Sequence, residues 1–147
     1  MSDFTLDSDA LHQALVQRAE TARTALEERI VKKLSGESLQ QKSGALAASI
    51  RSSIADDAGA ISIIASSVGV AYAAIQEFGG KTTAHDIVVV KARALKFSGA
   101  GEAFAKKVHH PGSTIPAHSF FGGSMSEMRD DIAASLKEAA LESLRKD

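Results

Sequence analysis

Two long apolar periodicities, one near each end of the chain, limit what it can fold into. Leu11, Leu15, Ala19, Ala22, Leu26, Ile30 and Leu34 recur at three- and four-residue steps, which puts them on one face of a helix over about 10–34. Asp7, Ser8 and Asp9 are N-cap candidates for it, and Lys32 and Lys33 suit the dipole of its last turn. Glu28 and Lys32 form an i,i+4 pair on its wet side, and Gly36 is placed to end it as the C′ residue. Met125, Met128, Ile132, Leu136, Ala140 and Leu144 make the same pattern in a second helix, from about Phe120 or Ser124 to Leu144. Each helix has an apolar stripe that another layer must cover.

The middle of the chain supplies that layer. After a polar loop at 36–42, residues 43–49 read as a short helix with Ser43 as its cap. Two β-rich runs, 50–54 and 60–65, flank Asp56-Asp57-Ala58-Gly59, which is turn chemistry for a hairpin. A short helix over 71–78 is ended by Gly79-Gly80. Ile87-Val88-Val89-Val90 is β-branched throughout, and Leu95 and Phe97 alternate about Lys96, both strand signatures. Residues 98–101 turn the chain into a last run over 104–108. Residues 109–119 hold both prolines of the chain, so they suit neither a helix nor a central strand. The order predicts an α+β fold. A mainly antiparallel sheet of about four strands is packed by two long helices, N- and C-terminal, with short helices between. Residues 1–147 form a single domain.

Composition narrows the classes of function. At 147 residues one real core can be buried without staples, and with six Phe, one Tyr and no Trp it must be built largely from Ala, Leu, Ile and Val. There is no cysteine, so disulfides and thiolate zinc sites are excluded. A net charge of −1 is unlike a strongly basic nucleic-acid binder. The N-terminus lacks the basic and apolar regions of a secretion signal, and no run approaches the ~20 apolar residues of a membrane span. We therefore expect a protein made or assembled in a cytoplasm, without a membrane partner.

Few residues suggest chemistry. Of five histidines, His109 and His110 are adjacent, and in extended chain they point to opposite faces. His85 and Asp86 have the same geometry. His110 and His118 flank the Pro-rich loop, but no Asp or Glu lies between them, so we expect no metal site and no cofactor. No Gly-x-Ser-x-Gly elbow is present. Glu77 is the one carboxylate in the apolar stretch 72–78, with no second carboxylate indicated for glycosidase chemistry. Gly79-Gly80-Lys81-Thr82 lacks the upstream glycine of a phosphate loop, since Ile75 stands there. We expect no enzyme. The basic run is the stronger feature: residues 81–110 carry Lys81, Lys91, Arg93, Lys96, Lys106 and Lys107 against Asp86 and Glu102, a local +4. Lys91, Arg93, Lys96, Lys106 and Lys107 are the candidates to face nucleic acid. Set against that is a solvated strand face on which lysine blocks edge pairing. We favour the solvated face, because nothing aromatic interleaves the charges.

Several segments together resemble a known family. Lys42-Ser43-Gly44-Ala45-Leu46-Ala47-Ala48-Ser49-Ile50 resembles a (T/S)-G-x-L-x-x-S-I block. Tyr72-Ala73-Ala74-Ile75-Gln76-Glu77-Phe78-Gly79 resembles Y-A-x-x-x-E-F-G. Ala94-Leu95-Lys96-Phe97 followed by Phe104-Ala105-Lys106-Lys107-Val108-His109-His110-Pro111-Gly112 resembles A-L-x-F … F-A-K-x-V-x-H-P-G, and a Pro-x-x-x-Phe step runs from Pro116 to Phe120. In this order, over roughly 40–135, they resemble the gene-ten-like family of tail-completion and neck proteins of long-tailed bacteriophages. Val89-Val90 stands where the family often has proline, and the segment 116–121 is longer than the usual Pro-Phe pair.

The resemblance implies a non-catalytic virion component of a phage or prophage, assembled in the host cytoplasm. It implies a homo-oligomeric ring, commonly six-fold, that caps the tail tube and meets the head connector or stopper protein, with DNA passing through its lumen. A ring of this kind joins two different patches on successive copies. The candidate patches are Gly79, Gly80, Lys81, Thr82, His85 and Asp86 in one loop, and His109, His110, Pro111, Pro116, His118 and Phe120 in the other. The alternatives are a connector-side adaptor, stopper or other minor tail protein, a small nucleic-acid-binding protein using the basic strands 91–107, and a metal-dependent hydrolase centred on the loop histidines.

Overall fold

In the computed structural model, residues 7–39, 43–57, 59–90, 95–98 and 102–145 are described, with the backbone alone at 95–98, 102 and 103. Helix α1 (Ser8–Lys32) starts where Asp7 accepts the Asp9 and Ala10 N–H groups at 3.2 and 3.0 Å, one of the expected caps. It runs on through a wide turn, Lys33–Glu37, until Gly36 leaves the helical region at φ 119°. The short helix α2 (Ala45–Ala48) is capped by the backbone of Gly44 rather than by the Ser43 side chain. The expected hairpin forms, but with longer strands, since Asp56 and Asp57 pair with Ile61 and Ala60 instead of lying in the turn. Strand β1 (Ile50–Asp57) pairs antiparallel with β2 (Ala60–Ser67), Ile50 opposite Ser67 and Asp57 opposite Ala60.

The two long helices run antiparallel, as shown by ion pairs of Arg18 with Glu142 and of Arg29 with Glu127. Helix α4 spans Phe120–Leu144. Alternate hairpin residues turn inward onto α1, and the core closes around Leu26, Ile30, Leu34, Leu46, Ile50 and Phe120. Each such side chain, taken out of water, stabilises the fold by about 1.5–3 kcal/mol. The apolar stripe of α4 is turned from the one the periodicity indicates. Phe120, Ser124 and Ala139 are buried, whereas Met125 and Leu144 are exposed. The contact with α1 is centred on the smaller residues, since those let the two helices approach.

The helix crossing is also held by charge. Arg29 reaches Glu37 at 2.7 Å and Glu127 at 2.7 Å, and the buried Lys33 ammonium reaches the other oxygen of Glu127 at 2.6 Å. The hydrogen bond from Lys33, then that from Arg29, holds the Glu127 carboxyl below the ordinary carboxylate range, and Arg29 does the same for Glu37. A carboxylate whose folded pKa is depressed stabilises the fold above its unfolded value near 4.5, and that contribution is lost as pH falls through the folded value. The melting temperature should therefore decline below about pH 4.5. Glu127→Gln should flatten that decline while lowering the neutral-pH melting temperature, because Lys33 loses a charged partner. Thermal melts of both proteins between neutral pH and pH 3 check this. Parallel slopes would remove Glu127 from the explanation.

The α+β class stands, with two long helices flanking small antiparallel sheets. The strands form four two-stranded ladders among the described residues rather than one sheet. After helix α3 (Ala73–Phe78) come β3 (Gly80–Lys81), β4 (His85–Val88), β5 (Leu95–Ser98), β6 (Glu102–Ala105), β7 (Lys107–His110) and β8 (Thr114–Ile115). β3 pairs with β8, β4 with β7, and β5 with β6. These ladders nest into one ribbon, continued by backbone bonds from Thr82 to Ser113 and from Val89 to Lys106. Val89 is bonded to Lys106 and Leu95 is paired with Ala105, so the outgoing side has the five additional residues 90–94 between those points. We call residues 80–115 the arm. Fourteen residues of its returning side, 102–115, extend to about 45 Å at ~3.3 Å each. Among the described residues only β1–β2 lies under the long helices, while β4 and β7 pack on each other and make at most isolated contacts elsewhere. Burial alternates along the arm: Ile87, Val89 and Val108 are half-buried on one face, while Val88, Val90, Lys107 and His109 are exposed.

Candidate functional site

The arm leaves the body at a root built on Glu77. This residue is 6 % exposed, and its two carboxylate oxygens accept the Phe121 and Gly122 N–H groups at 2.8 and 2.9 Å. Those are donors of the first turn of α4, which otherwise have no intrahelical partner. Ser119, the N-cap residue, makes no capping bond with its side chain and sits at φ 38°. A carboxylate from a separate helix therefore caps α4, where both the hydrogen bonds and the helix dipole favour negative charge. The backbone adds two more ties, His118 N–H to Gln76 O at 2.8 Å and Ser119 N–H to Glu77 O at 3.2 Å. Glu77, the one carboxylate that suggested acid chemistry, has both oxygens engaged in structure.

Gly79 and Ala117 bring the two ends of the arm together. A Cβ at Gly79 would lie 2.8 Å from Ala117 N and 2.9 Å from Ile115 O. Gly112, at φ 87°, lies tighter still against the Thr82 carbonyl. The glycines of the E-F-G and H-P-G segments are thus places where one backbone presses on another. The root also takes up residues first assigned to partner surfaces. Phe120 is fully buried, so as an interface residue it is corrected to core. His118 is partly buried and donates from Nδ1 to Ser38 O at 2.6 Å, which ties the root to the end of α1. Gly79 and Gly80 lie in the root and in β3.

Further out, the arm presents its polar side chains as the alternation of strands requires. His85 stacks on His110 with ring centroids 5.2 Å apart. Asp86 on the other face meets Lys107 at 2.8 Å and His109 at 3.0 Å. Lys107, then His109, holds the Asp86 carboxyl below its usual range. The Nδ1 of His110 accepts the Gly112 N–H at 3.0 Å, which engages that ring nitrogen within the turn. No group of three or more His, Cys, Asp or Glu residues able to hold a metal is found among the described residues.

Lys81, His85, Asp86, His109, Pro111 and Pro116 are exposed, while Thr82 and His110 are half-buried. Of the basic residues, Lys91 and Arg93 lie outside the described residues, and of Lys96 only the backbone is described. Lys106 is exposed, and Lys107 is paired with Asp86. The arm also carries exposed apolar side chains that were not singled out in the sequence: Val88, Val90 and Phe104, 52 %, 87 % and 63 % exposed. Phe104 stands two positions from Lys106, which corrects the reading that no aromatic interleaves the charges. The β-branched run 87–90 was a visible signal, but only the packing leaves it uncovered.

No known protein family, curated protein or solved structure matches this chain. None of the helices among the described residues is long and apolar enough to cross a membrane.

Proposed function

We propose that the chain is a structural subunit of a long-tailed phage or prophage tail. It acts as a tail-completion protein whose copies close into a ring, commonly of six, between the tail tube and the head connector. The observation that carries this reading is the arm. A two-stranded ribbon standing alone is at best marginally stable in water, yet among the described residues the β4–β7 pair has no other layer against it, and the arm exposes Val88, Val90 and Phe104. Such an element gains its stability from a partner. Subunits that meet through different patches make rings when the rotation closes.

Two of the segments that resemble the tail-completion family fall on the arm and its root. The Y-A-x-x-x-E-F-G block is α3 with the Glu77 cap and the Gly79 contact. The F-A-K-x-V-x-H-P-G block is the returning side of the arm, ending at the Gly112 contact. On this reading neither block carries catalysis. They build and anchor a projecting ribbon.

The test is electron microscopy of intact particles from the source of the gene. A single closed ring of this subunit between tube and connector is the expected result. Its absence from particles would sink the proposal. A second reading, binding to nucleic acid, draws on Phe104 beside Lys106 and on the +4 of residues 81–110. It predicts an affinity that falls steeply with salt.

A further inference from the structure

The body carries an apolar groove that its own side chains do not fill. Leu26 and Ile30 of α1 form its floor, Ile63, Ile64 and Ala65 of β2 one wall, and Phe121 and Met125 of α4 the other, around a volume of about 400 Å³. Ile64 and Met125 on its rim are 48 % and 40 % exposed. β2 is paired only with β1 among the described residues, so its second edge is open to another strand. Apolar surface of this kind, rimmed by polar residues, marks an interaction site.

Charge identifies what covers it. The chain has 17 basic and 18 acidic residues, of which six and two lie in 81–110; the remainder holds 11 and 16. The arm region is therefore +4 and the rest of the molecule −5. Two arms repel each other, and so do two bodies, whereas an arm and a body attract. Electrostatic complementarity of this sort selects orientation and suppresses the wrong pairing. The arm bears Val88, Val90 and Phe104 exposed among the described residues, and the groove is the apolar recess of the oppositely charged part.

We propose that the arm of one copy docks in the α1–β2–α4 groove of a second copy, with Phe104 or the Val88–Val90 stretch against Ile63, Phe121 and Met125. The contact is heterologous, because arm and groove are different patches. It repeats from copy to copy until a ring closes. The proposal deepens the ring reading above and rests on it for the closure, but the contact itself can be tested without any particle.

The absence of cysteine makes the test direct. Purified full-length chain carrying Phe104→Cys is mixed with tagged chain carrying Met125→Cys, both substitutions being at exposed positions, and treated with a short bis-maleimide at low salt. Several-fold more mixed dimer is expected than from Phe104→Cys mixed with Lys137→Cys, and the excess should fall as salt rises. A yield no greater than that control overturns the docking. Sedimentation of the wild-type chain runs in parallel. Closed oligomers without the preferred cross-link would remove this contact and leave the ring reading standing. The cross-link in a chain absent from phage particles would keep the contact and remove the tail assignment. If the arm instead retards a DNA duplex in a salt-dependent way and no cross-link forms, nucleic acid is its occupant and the proposal fails.

Discussion

Gly79→Ala is expected to be the most damaging single-methyl change in the body of the protein, costing about 3–5 kcal/mol. Its backbone, at φ 72° and ψ −179°, lies in a region essentially reserved for glycine, where another residue stores about 1–3 kcal/mol of strain. The added Cβ would also meet Ala117 N and Ile115 O at under 3 Å. Both are backbone atoms, so relief requires moving the β3–β8 pair or the entry to α4. For a chain of this size each kcal/mol shifts the melting temperature by about 2–4 °C, which makes a loss of 10 °C or so the expected reading in a thermal melt. Hydrogen exchange should locate the damage, with amides of β3 and β8 losing protection before those of β1 and β2. Glycine-to-alanine changes at compatible positions stabilise proteins by restricting the unfolded chain. A neutral or raised melting temperature here would mean that the root does not have this geometry.

Removing the Glu77 carboxylate should come next in size. Hydrogen bonds to a charged group contribute roughly 1.5–3 kcal/mol each, and a buried donor left unpaired costs its desolvation as well. The Phe121 and Gly122 amides can recover water in part when the side chain is shortened, so the two bonds do not add fully. Glu77→Ala is expected to cost about 3 kcal/mol, and Glu77→Gln about half of that, since one oxygen can still accept. The signature is local: faster exchange at the Phe121 and Gly122 amides, with the α1 core amides following only through the global loss. Because Glu77 joins α3 to α4 at the point where the arm emerges, the same substitution should also weaken the docking cross-link from Phe104. Unchanged amide exchange in Glu77→Ala would show that α4 is capped by another group.

Both predictions concern residues whose types were visible and whose partners were not. Glu77 was recognised as a carboxylate in an apolar stretch, but its acceptor role depends on amides 44 and 45 positions away. Nothing in a local pattern encodes that distance. Gly79 and Gly80 were read as a helix stop, and Gly79 is one. The close approach of Ala117, which forbids any side chain there, follows from the arm returning to its own starting point. Phe120 was assigned to a partner surface because it follows an irregular, proline-bearing loop. It is core because α4 begins at that residue and turns the ring inward.

What is legible in one chain of residues is what short-range physics decides. Helix periodicity, the Asp7 cap and the glycine-bearing hairpin turn all depend on contacts between positions a few residues apart. From them the α+β class and the two long helices could be read directly. Tertiary structure alone decided which strands share a layer. The pairs β3–β8, β4–β7 and β5–β6 satisfy their backbone bonds locally, with no requirement to join β1–β2, and the long helices have only enough apolar stripe to cover the one hairpin. The uncovered ribbon, the groove beside β2 and the separation of charge between them arise from that division. Each is a relation between distant parts of the chain, set by how much apolar surface one small core can bury.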